Sequence, residues 1–159
     1  MSGSITLQQK MNIIELGPGC GVITSEIIKR MPDDAQLFCI EKNKCFATKL
    51  SQHFSMDSVT ILNASAEELD RLLPEYVTKI DCIVSSLPLS IFPQLVKRRI
   101  IHICYSMLKE NGQFIQMQYT FREKRMIEQH LKHNKTLFCL LNVPPAFVFS
   151  THKESRPAM

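Results

Sequence analysis

The chain has 159 residues, of which 45% are hydrophobic and 21% charged, and its formal net charge is +4. A chain of this length forms a single domain, here predicted over residues 1–159, and buries about 70% of its unfolded surface. The composition excludes a disordered chain, and no stretch reaches the roughly 20 apolar residues that a membrane-spanning helix needs. Residues 1–10 contain no apolar run, so no secretory signal is predicted and a cytoplasmic location is expected.

The cysteines do not predict a metal site. All six lack C-x-x-C spacing and most lie inside apolar runs, which is typical of reduced thiols packed as small hydrophobic side chains. The basic residues form local clusters at 97–99, 122–125 and 132–135. Such clusters attract the phosphates of anionic lipids or of RNA, although ordinary solvated helix faces have the same composition.

The first predicted strand, residues 12–16, follows a short segment (1–11) that is predicted to be flexible. After Glu15 the strand leads into a turn with glycines at positions 17, 19 and 21. Glycine has no Cβ and tolerates positive φ, so such a turn lets a ligand lie against the backbone and its N–H groups. The dinucleotide pattern G-x-G-x-x-G needs its third glycine at Val22, which argues against a nicotinamide or flavin cofactor.

A helix predicted over 21–31 separates this turn from a second strand, predicted over 36–41, which ends in Glu41. Because the carboxyl ends of parallel strands meet at one edge of a sheet, Glu41 is expected beside the glycine turn. A carboxylate there accepts hydrogen bonds from both hydroxyls of a ribose, each contributing about 1.5–3 kcal/mol. The two strand ends therefore predict a site for a nucleoside-containing ligand. The alternative is a generic α/β turn with a surface glutamate.

The next predicted elements again alternate between helix and strand. A helix is predicted over 43–56 and a strand over 59–62, and Ser65 with Glu68 forms a capping box at the start of a short helix. The apolar residues of the first of these helices recur at every fourth position and are predicted to face the core: Phe46, Leu50 and Phe54.

A fourth strand, predicted over 80–85, leads into the turn Ser85–Ser86–Leu87–Pro88–Leu89. Ligands of open α/β sheets bind beyond the carboxyl ends of the strands, so this turn is predicted to lie next to the ligand. Pro88 restricts Leu87 to extended conformations and thereby orients the preceding carbonyl groups. The alternative is an ordinary strand-to-helix connection.

The remaining elements are predicted in this order: a helix over 92–110 ended by Asn111–Gly112, a strand over 113–119, a helix over 122–132, and strands over 136–142 and 146–152 joined by Pro144–Pro145. The alternation of strands and helices predicts a mostly parallel, twisted sheet covered on both faces. Seven strands are predicted in all, the last two forming an antiparallel hairpin.

The segment Glu15–Leu16–Gly17–Pro18–Gly19–Cys20–Gly21 resembles motif I of the class I S-adenosylmethionine-dependent methyltransferases, and Glu41 matches the ribose-binding acid of that family. The resemblance implies their Rossmann-like fold and S-adenosylmethionine as the cofactor. It implies that the following residues bind the cofactor: Glu15, Gly17, Pro18, Gly19, Gly21, Glu41, Lys42, Ser65, Ala66 and Ser85. Position 65 is Ser where many of these enzymes have an Asp that contacts adenine, so the backbone near Ala66 is expected to contribute.

The turn after the fourth strand resembles two families of this class. Its equivalent is Asn-Leu-Pro-Tyr in the rRNA adenine dimethyltransferases, and Ser-Ser/Gly-Leu-Pro-Leu followed by Phe-Pro in the bacterial phospholipid N-methyltransferases. The segment 85–93 follows the second pattern. Two more segments resemble the phospholipid enzymes, namely 112–119 (Gly-x-Phe-x-Gln-x-x-Tyr) and 142–148 (Asn-x-Pro-Pro-Ala-x-Val), so the resemblance spans about residues 12–152.

This resemblance implies methyl transfer to an amine nitrogen, first of all that of phosphatidylethanolamine, with peripheral contact to the inner membrane surface. It implies these catalytic positions: Tyr119, Ser85, Ser86, Leu87 and Pro88. Tyr119 is expected to orient the head group, and the carbonyl groups of Ser85 or Ser86 to face the amine. Two positions also have a purely structural interpretation. Tyr119 is then an aromatic residue at a strand end, and Gln116 lies on the polar face of an edge strand. The whole chain has two alternative functions. One is an rRNA adenine N6-methyltransferase, although RNA is a less favoured partner than a lipid, and the other is a non-catalytic module that binds S-adenosylmethionine.

Overall fold

The computed structural model describes residues 10–74, 77, 79–118, 134–139 and 146–153, with only the backbone at 118, 134–139 and 146–149. The predicted helix over 122–132 and the Pro144–Pro145 connection lie outside these ranges. Within them, no helix combines the length and the apolar character that crossing a membrane requires.

Seven strands of the described ranges form a sheet in the order β3-β2-β1-β4-β5-β7-β6. Their bounds are β1 Asn12–Leu16, β2 Gln36–Ile40, β3 Val59–Leu62, β4 Ile80–Ser85, β5 Leu108–Gln118, β6 Asn134–Cys139 and β7 Ala146–His152. Strands β1 to β5 are parallel, whereas β7 pairs antiparallel with both β5 and β6. The predicted Rossmann-like class, with a mostly parallel sheet and an antiparallel C-terminal pair, is confirmed. The strand order reverses at β1, which lies between β2 and β4, and ligands of such sheets bind at this switch point.

Four α-helices lie in the described connections between strands: α1 Val22–Arg30, α2 Lys44–His53, α3 Leu69–Leu72 and α4 Gln94–Met107. The Asn43 side chain caps α2 by accepting hydrogen bonds from the N–H groups of Cys45 and Phe46. The predicted capping box of Ser65 and Glu68 is present and opens a 3₁₀ turn before α3. Side-chain caps of this kind satisfy backbone N–H groups that have no partner inside a helix.

The central strands are buried on both faces. Ile14, Leu16 and Phe38 pack on one side with α4, while Ile13 and Leu37 pack on the other side with α1. Burial on both faces explains why these strands carry runs of apolar residues rather than a strict alternation of apolar and polar ones. The inner face of α4 carries Ile100 and Ile103, which are both buried.

The predicted core position of Phe46 is wrong. Its side chain is 40% exposed, whereas Ala47 and Leu50 of the same helix are buried. Leu50 is buried and Phe54 packs against the core as predicted, so only the first position of the predicted stripe differs, with Ala47 buried there in place of Phe46. Phe46 instead lines a surface groove together with Cys20 and Phe54.

The boundary between α4 and β5 also differs from the prediction. The helix ends at Met107, and β5 already begins at Leu108, which pairs with Ile80 of β4. Asn111 has a φ of 62° but lies within the strand, where its N–H donates to the carbonyl of Lys153 at 2.9 Å. Because β5 pairs with β4 on one side and with β7 on the other, Asn111–Gly112 is an irregularity within the strand and not the end of a helix.

Candidate active site

The loop between β1 and α1 turns on three glycines with positive φ, at 71° for Gly17, 57° for Gly19 and 85° for Gly21. Residues with a Cβ are strained at such angles. A Cβ on Gly17 would lie 2.9 Å from Cδ2 of Leu87. The glycine loop therefore packs directly against the turn that follows β4, and both loops lie at the switch point of the sheet.

Glu41 follows β2 and joins this loop to α2. Its Oε2 accepts a hydrogen bond from the N–H of Gly19 at 3.0 Å, and its Oε1 accepts one from the N–H of Asn43 at 2.7 Å. The side chain is 8% exposed and lines a cavity. Since an ionised carboxylate offers about four acceptor positions, Glu41 keeps acceptor positions for hydroxyl groups of a ligand in that cavity.

Glu15 lies beneath the loop rather than in the cavity wall. Its Oε2 accepts hydrogen bonds from Thr24 Oγ1 at 2.7 Å and Cys39 Sγ at 3.5 Å, while Oε1 has no partner among the described residues. Burial raises the pKa of the Glu15 carboxyl and the Glu41 carboxylate raises it further, whereas the hydrogen bonds from Thr24 and Cys39 lower it. Glu15 therefore links β1 to α1 and β2 through its buried carboxylate and does not line the cavity.

The cavity has a volume of 260 Å³ and opens where β1, β2 and β4 end. This is just below the about 300–1,000 Å³ that is typical of ligand pockets. One wall carries polar groups and small residues: Gly17, Glu41, Lys42, Ser65, Ala66 and Glu67. The other wall is apolar: Leu87, Phe92, Pro93, Val96 and Ile100. A ligand with one apolar, planar part and one hydroxylated part suits such a cavity.

The turn after β4 is held by its own backbone and side chains. The N–H of Ser86 donates to the carbonyl of Leu16 at 2.9 Å, and Oγ of the buried Ser85 accepts from the N–H of Leu87 at 3.4 Å. The hydroxyl of Ser86 has no partner among the described residues. Pro88 precedes a 3₁₀ turn over Leu89–Ile91. The turn therefore has a defined shape beside the cavity.

Gln116 is a contributor to this turn that the sequence did not identify. It lies on β5, and its side chain is 0% exposed. Its amide Nε2 donates to the carbonyl of Leu87 at 3.1 Å and to that of Met117 at 2.8 Å. The interpretation of Gln116 as part of an exposed polar edge is wrong, because β5 pairs with β4 on one side and β7 on the other. Its side chain instead holds the turn after β4.

The predicted site residues fall into three groups. Those that line the cavity are Gly17, Glu41, Lys42, Ser65, Ala66 and Leu87. Those that shape the surrounding loops are Glu15, Pro18, Gly19, Gly21, Ser85, Ser86 and Pro88. Tyr119 lies outside the described residues, so its catalytic role stays a prediction. The sequence did not identify Val96 and Ile100 as cavity residues, because their apolar spacing is the same as that of any core-facing helix.

A glycine loop, a buried acid after β2 and a cavity at the switch point of a mostly parallel sheet are the features of a class I methyltransferase fold. A family model described as "Ribosomal RNA adenine dimethylase" matches residues 3–138. The chain belongs to this family and is an S-adenosylmethionine-dependent methyltransferase. The predicted class of enzyme, an N-methyltransferase with S-adenosylmethionine as cofactor, is thereby confirmed.

Three individual proteins are similar to the chain, each at 26% sequence identity or less. An ornithine lipid N-methyltransferase from Singulisphaera acidiphila is 26% identical over 137 residues, which cover 84% of this chain and 71% of that protein. An rRNA methylase from Streptococcus thermophilus superposes with a TM-score of 0.71 at 15% identity, over 92% of this chain and 88% of that chain. The N-methyltransferase NodS from Bradyrhizobium japonicum WM9, solved with S-adenosyl-L-homocysteine, gives 0.73 at 12% identity, over 91% and 79%. These two structures share the fold of this chain.

The described residues fit S-adenosylmethionine. The acceptor positions that Glu41 keeps suit the ribose hydroxyls, and the apolar wall with Phe92 suits the faces of adenine. Gly17 has no side chain, so the loop packs closely against Leu87, and both residues line the cavity. We therefore expect these residues to hold the adenosine part of the cofactor.

Proposed function

We propose that the protein transfers a methyl group to a primary amine in the head group of a membrane lipid, with phosphatidylethanolamine as the first candidate. The proposal is supported by the similarity to an ornithine lipid N-methyltransferase over most of both chains. It is also supported by the Ser-Ser-Leu-Pro-Leu turn at 85–89, which resembles that of phospholipid enzymes. Both kinds of lipid present an amine at the surface of a bilayer.

The burial of Leu89 is the observation that favours a lipid over a nucleic-acid base as the methyl acceptor. It occupies the position at which adenine dimethyltransferases have an aromatic residue, and its side chain is 0% exposed within the core. Enzymes that act on a base extrude it and stack it between side chains, to which a fully buried leucine contributes nothing. A lipid amine needs no stacking partner.

The reaction is an in-line displacement. S-adenosylmethionine supplies a methyl group that its sulfonium already activates. The lone pair of the neutral amine attacks this carbon, the carbon–sulfur bond breaks, and the nitrogen then loses a proton. The protein therefore contributes alignment and exclusion of water rather than activation of the donor. The turn that Gln116 holds is suited to orient the amine.

A direct test compares acceptors in one assay. The protein is incubated with S-adenosylmethionine labelled in its methyl group and with vesicles containing phosphatidylethanolamine, ornithine lipid or only phosphatidylglycerol, or with ribosomal RNA. We expect label in the amine-bearing lipids and none in phosphatidylglycerol. Label in RNA alone would overturn the proposal in favour of adenine methylation, the second candidate, which the family match supports. Cofactor binding without label in any acceptor would favour a non-catalytic module.

Gln116→Leu is expected to lower turnover on the lipid about tenfold, because the Leu87 carbonyl loses its donor and the turn shifts relative to the cofactor. The unpaired buried carbonyl costs about 1–3 kcal/mol of stability. Gln113→Leu is the matched control, since Gln113 lies on the same strand but donates to Ser150 Oγ at 2.8 Å. Steady-state kinetics and calorimetry with S-adenosylhomocysteine are compared. Equal turnover in the two variants would contradict the positioning role of Gln116.

Tyr119→Phe tests the role that the sequence predicts for this residue. Removing a hydroxyl that orients the amine is expected to lower turnover about tenfold while the affinity for S-adenosylhomocysteine stays within about twofold of wild type. The readouts are the rate of methyl transfer and calorimetric titration. Wild-type turnover would assign Tyr119 a purely structural role.

A further inference from the structure

The most exposed large hydrophobic side chains in the described part of the chain lie beside the active site. Leu95 is 82% exposed and Ile91 is 75% exposed, more than any other large hydrophobic side chain among the described residues. Leaving such side chains in water is unfavourable, and neighbouring exposed apolar residues mark surfaces that contact a partner or a membrane.

Both residues are next in the chain to residues that line the cofactor cavity. Ile91 directly precedes Phe92, and Leu95 directly precedes Val96, and both of these neighbours line the cavity. The same segment continues from the turn after β4, at which the acceptor amine is proposed to lie. A partner seated on Ile91 and Leu95 is thereby brought to the place where the methyl group is transferred.

The charge of α4 complements anionic groups. The helix carries Lys97, Arg98 and Arg99 but no Asp or Glu. Arg98 and Arg99 are exposed, and they follow Leu95 by three and four positions, which places them on the same side of the helix. The Nε of Arg99 also donates to the carbonyl of Glu67 at 3.0 Å and so ties this part of α4 to the polar wall of the cavity.

We propose that Ile91, Leu95, Arg98 and Arg99, here called the docking face, bind the surface of an anionic lipid bilayer. The two apolar side chains enter the boundary between head groups and acyl chains, and the two guanidinium groups lie at the phosphates. The inference rests on the proposed lipid substrate and specifies how that substrate is reached. A head group is methylated at the rim of the cavity while its acyl chains stay in the bilayer.

A lipid surface fits the docking face better than RNA does. The two residues that dominate this face are aliphatic, and aliphatic side chains gain nothing from contact with a phosphate backbone. Proteins that bind single-stranded RNA place aromatic rings next to their basic groups, and the docking face contains no aromatic residue.

The test measures binding of the full chain to vesicles of equal parts phosphatidylcholine and phosphatidylglycerol, which contain no primary amine. Ile91→Ser/Leu95→Ser is expected to weaken binding at least tenfold, and Arg98→Gln about fivefold. Met11→Ser/Met56→Ser is the matched control, because these residues are 37% and 47% exposed but precede the amino ends of β1 and β3, at the opposite edge of the sheet. Circular dichroism and S-adenosylhomocysteine affinity confirm that each variant is folded.

The outcomes separate this inference from the proposed function. Loss of vesicle binding in Ile91→Ser/Leu95→Ser alone supports the docking face, even if no lipid is methylated. Wild-type binding by this variant overturns the docking face, even if phosphatidylethanolamine is methylated. Sedimentation velocity without lipid adds a third result: a wild-type dimer that this variant converts to a monomer overturns lipid docking and assigns the face to a second copy of the chain.

Discussion

Glu41→Ala is expected to weaken the binding of S-adenosylhomocysteine about 100-fold. The variant loses the acceptors for two ribose hydroxyls, each worth about 1.5–3 kcal/mol, and a loss of about 3 kcal/mol corresponds to about two powers of ten in affinity. It also frees the N–H groups of Gly19 and Asn43, both of which the carboxylate holds in the structure. The glycine loop must then be ordered by the cofactor itself, which weakens binding further. Isothermal titration calorimetry measures the effect.

Two further variants separate the causes of this loss. Glu41→Gln keeps the shape of the side chain, but its amide NH₂ must face a backbone N–H of Gly19 or Asn43, so we expect at least about a tenfold loss of affinity. Glu110→Ala removes an exposed carboxylate near the amino end of β4, at the far edge of the sheet, and should leave affinity unchanged. Unchanged affinity in Glu41→Ala, with the fold intact by circular dichroism, would remove Glu41 from the cofactor site.

The parts of the site that depend on local patterns were predictable from the sequence. The bounds of β1, β3 and β4 agree with the prediction, because each is a short apolar run between clear breaking signals. The capping box at Ser65 is likewise local, since its partners are only three residues apart. The glycine turn and the acid after β2 belong to this group, because the residue types alone restrict the backbone.

The parts that depend on tertiary packing were not predictable. The spacing of Phe46, Leu50 and Phe54 indicates a helix face but not how much of that face the rest of the fold covers, and Phe46 proved to be exposed. Gln116 alternates with apolar residues as on any edge strand, and only the pairing of β5 on both sides buries its amide against the Leu87 carbonyl. Contacts between residues far apart in the chain leave no periodic signal in either segment.

Gly21→Ala is expected to lower the free energy of unfolding by about 3 kcal/mol, which corresponds to about 10 °C in Tm for a chain of this size. An alanine at φ 85° is strained, and its Cβ would lie 2.7 Å from Cε2 of Phe54 and 2.8 Å from Cδ2 of Leu50. Gly19→Ala is the matched control. It carries the same kind of strain at φ 57°, but nothing lies within 4 Å of its Cβ, so a loss of only about 1–2 kcal/mol is expected. Both are measured by chemical denaturation without cofactor.

The difference between these two variants reports on how α2 supports the cofactor site. Gly21 packs on Leu50 and Phe54 at one end of α2, while Asn43 at the other end donates its N–H to Glu41, which holds Gly19 in turn. The glycine loop, α2 and Glu41 thus form a closed ring of contacts. Displacing α2 at Gly21 must shift the carboxylate at the other end of the ring, so Gly21→Ala should also weaken S-adenosylhomocysteine binding about tenfold. Equal stability of the Gly19 and Gly21 variants would show that α2 is free to move away from the loop, and the ring would then have no role in placing Glu41.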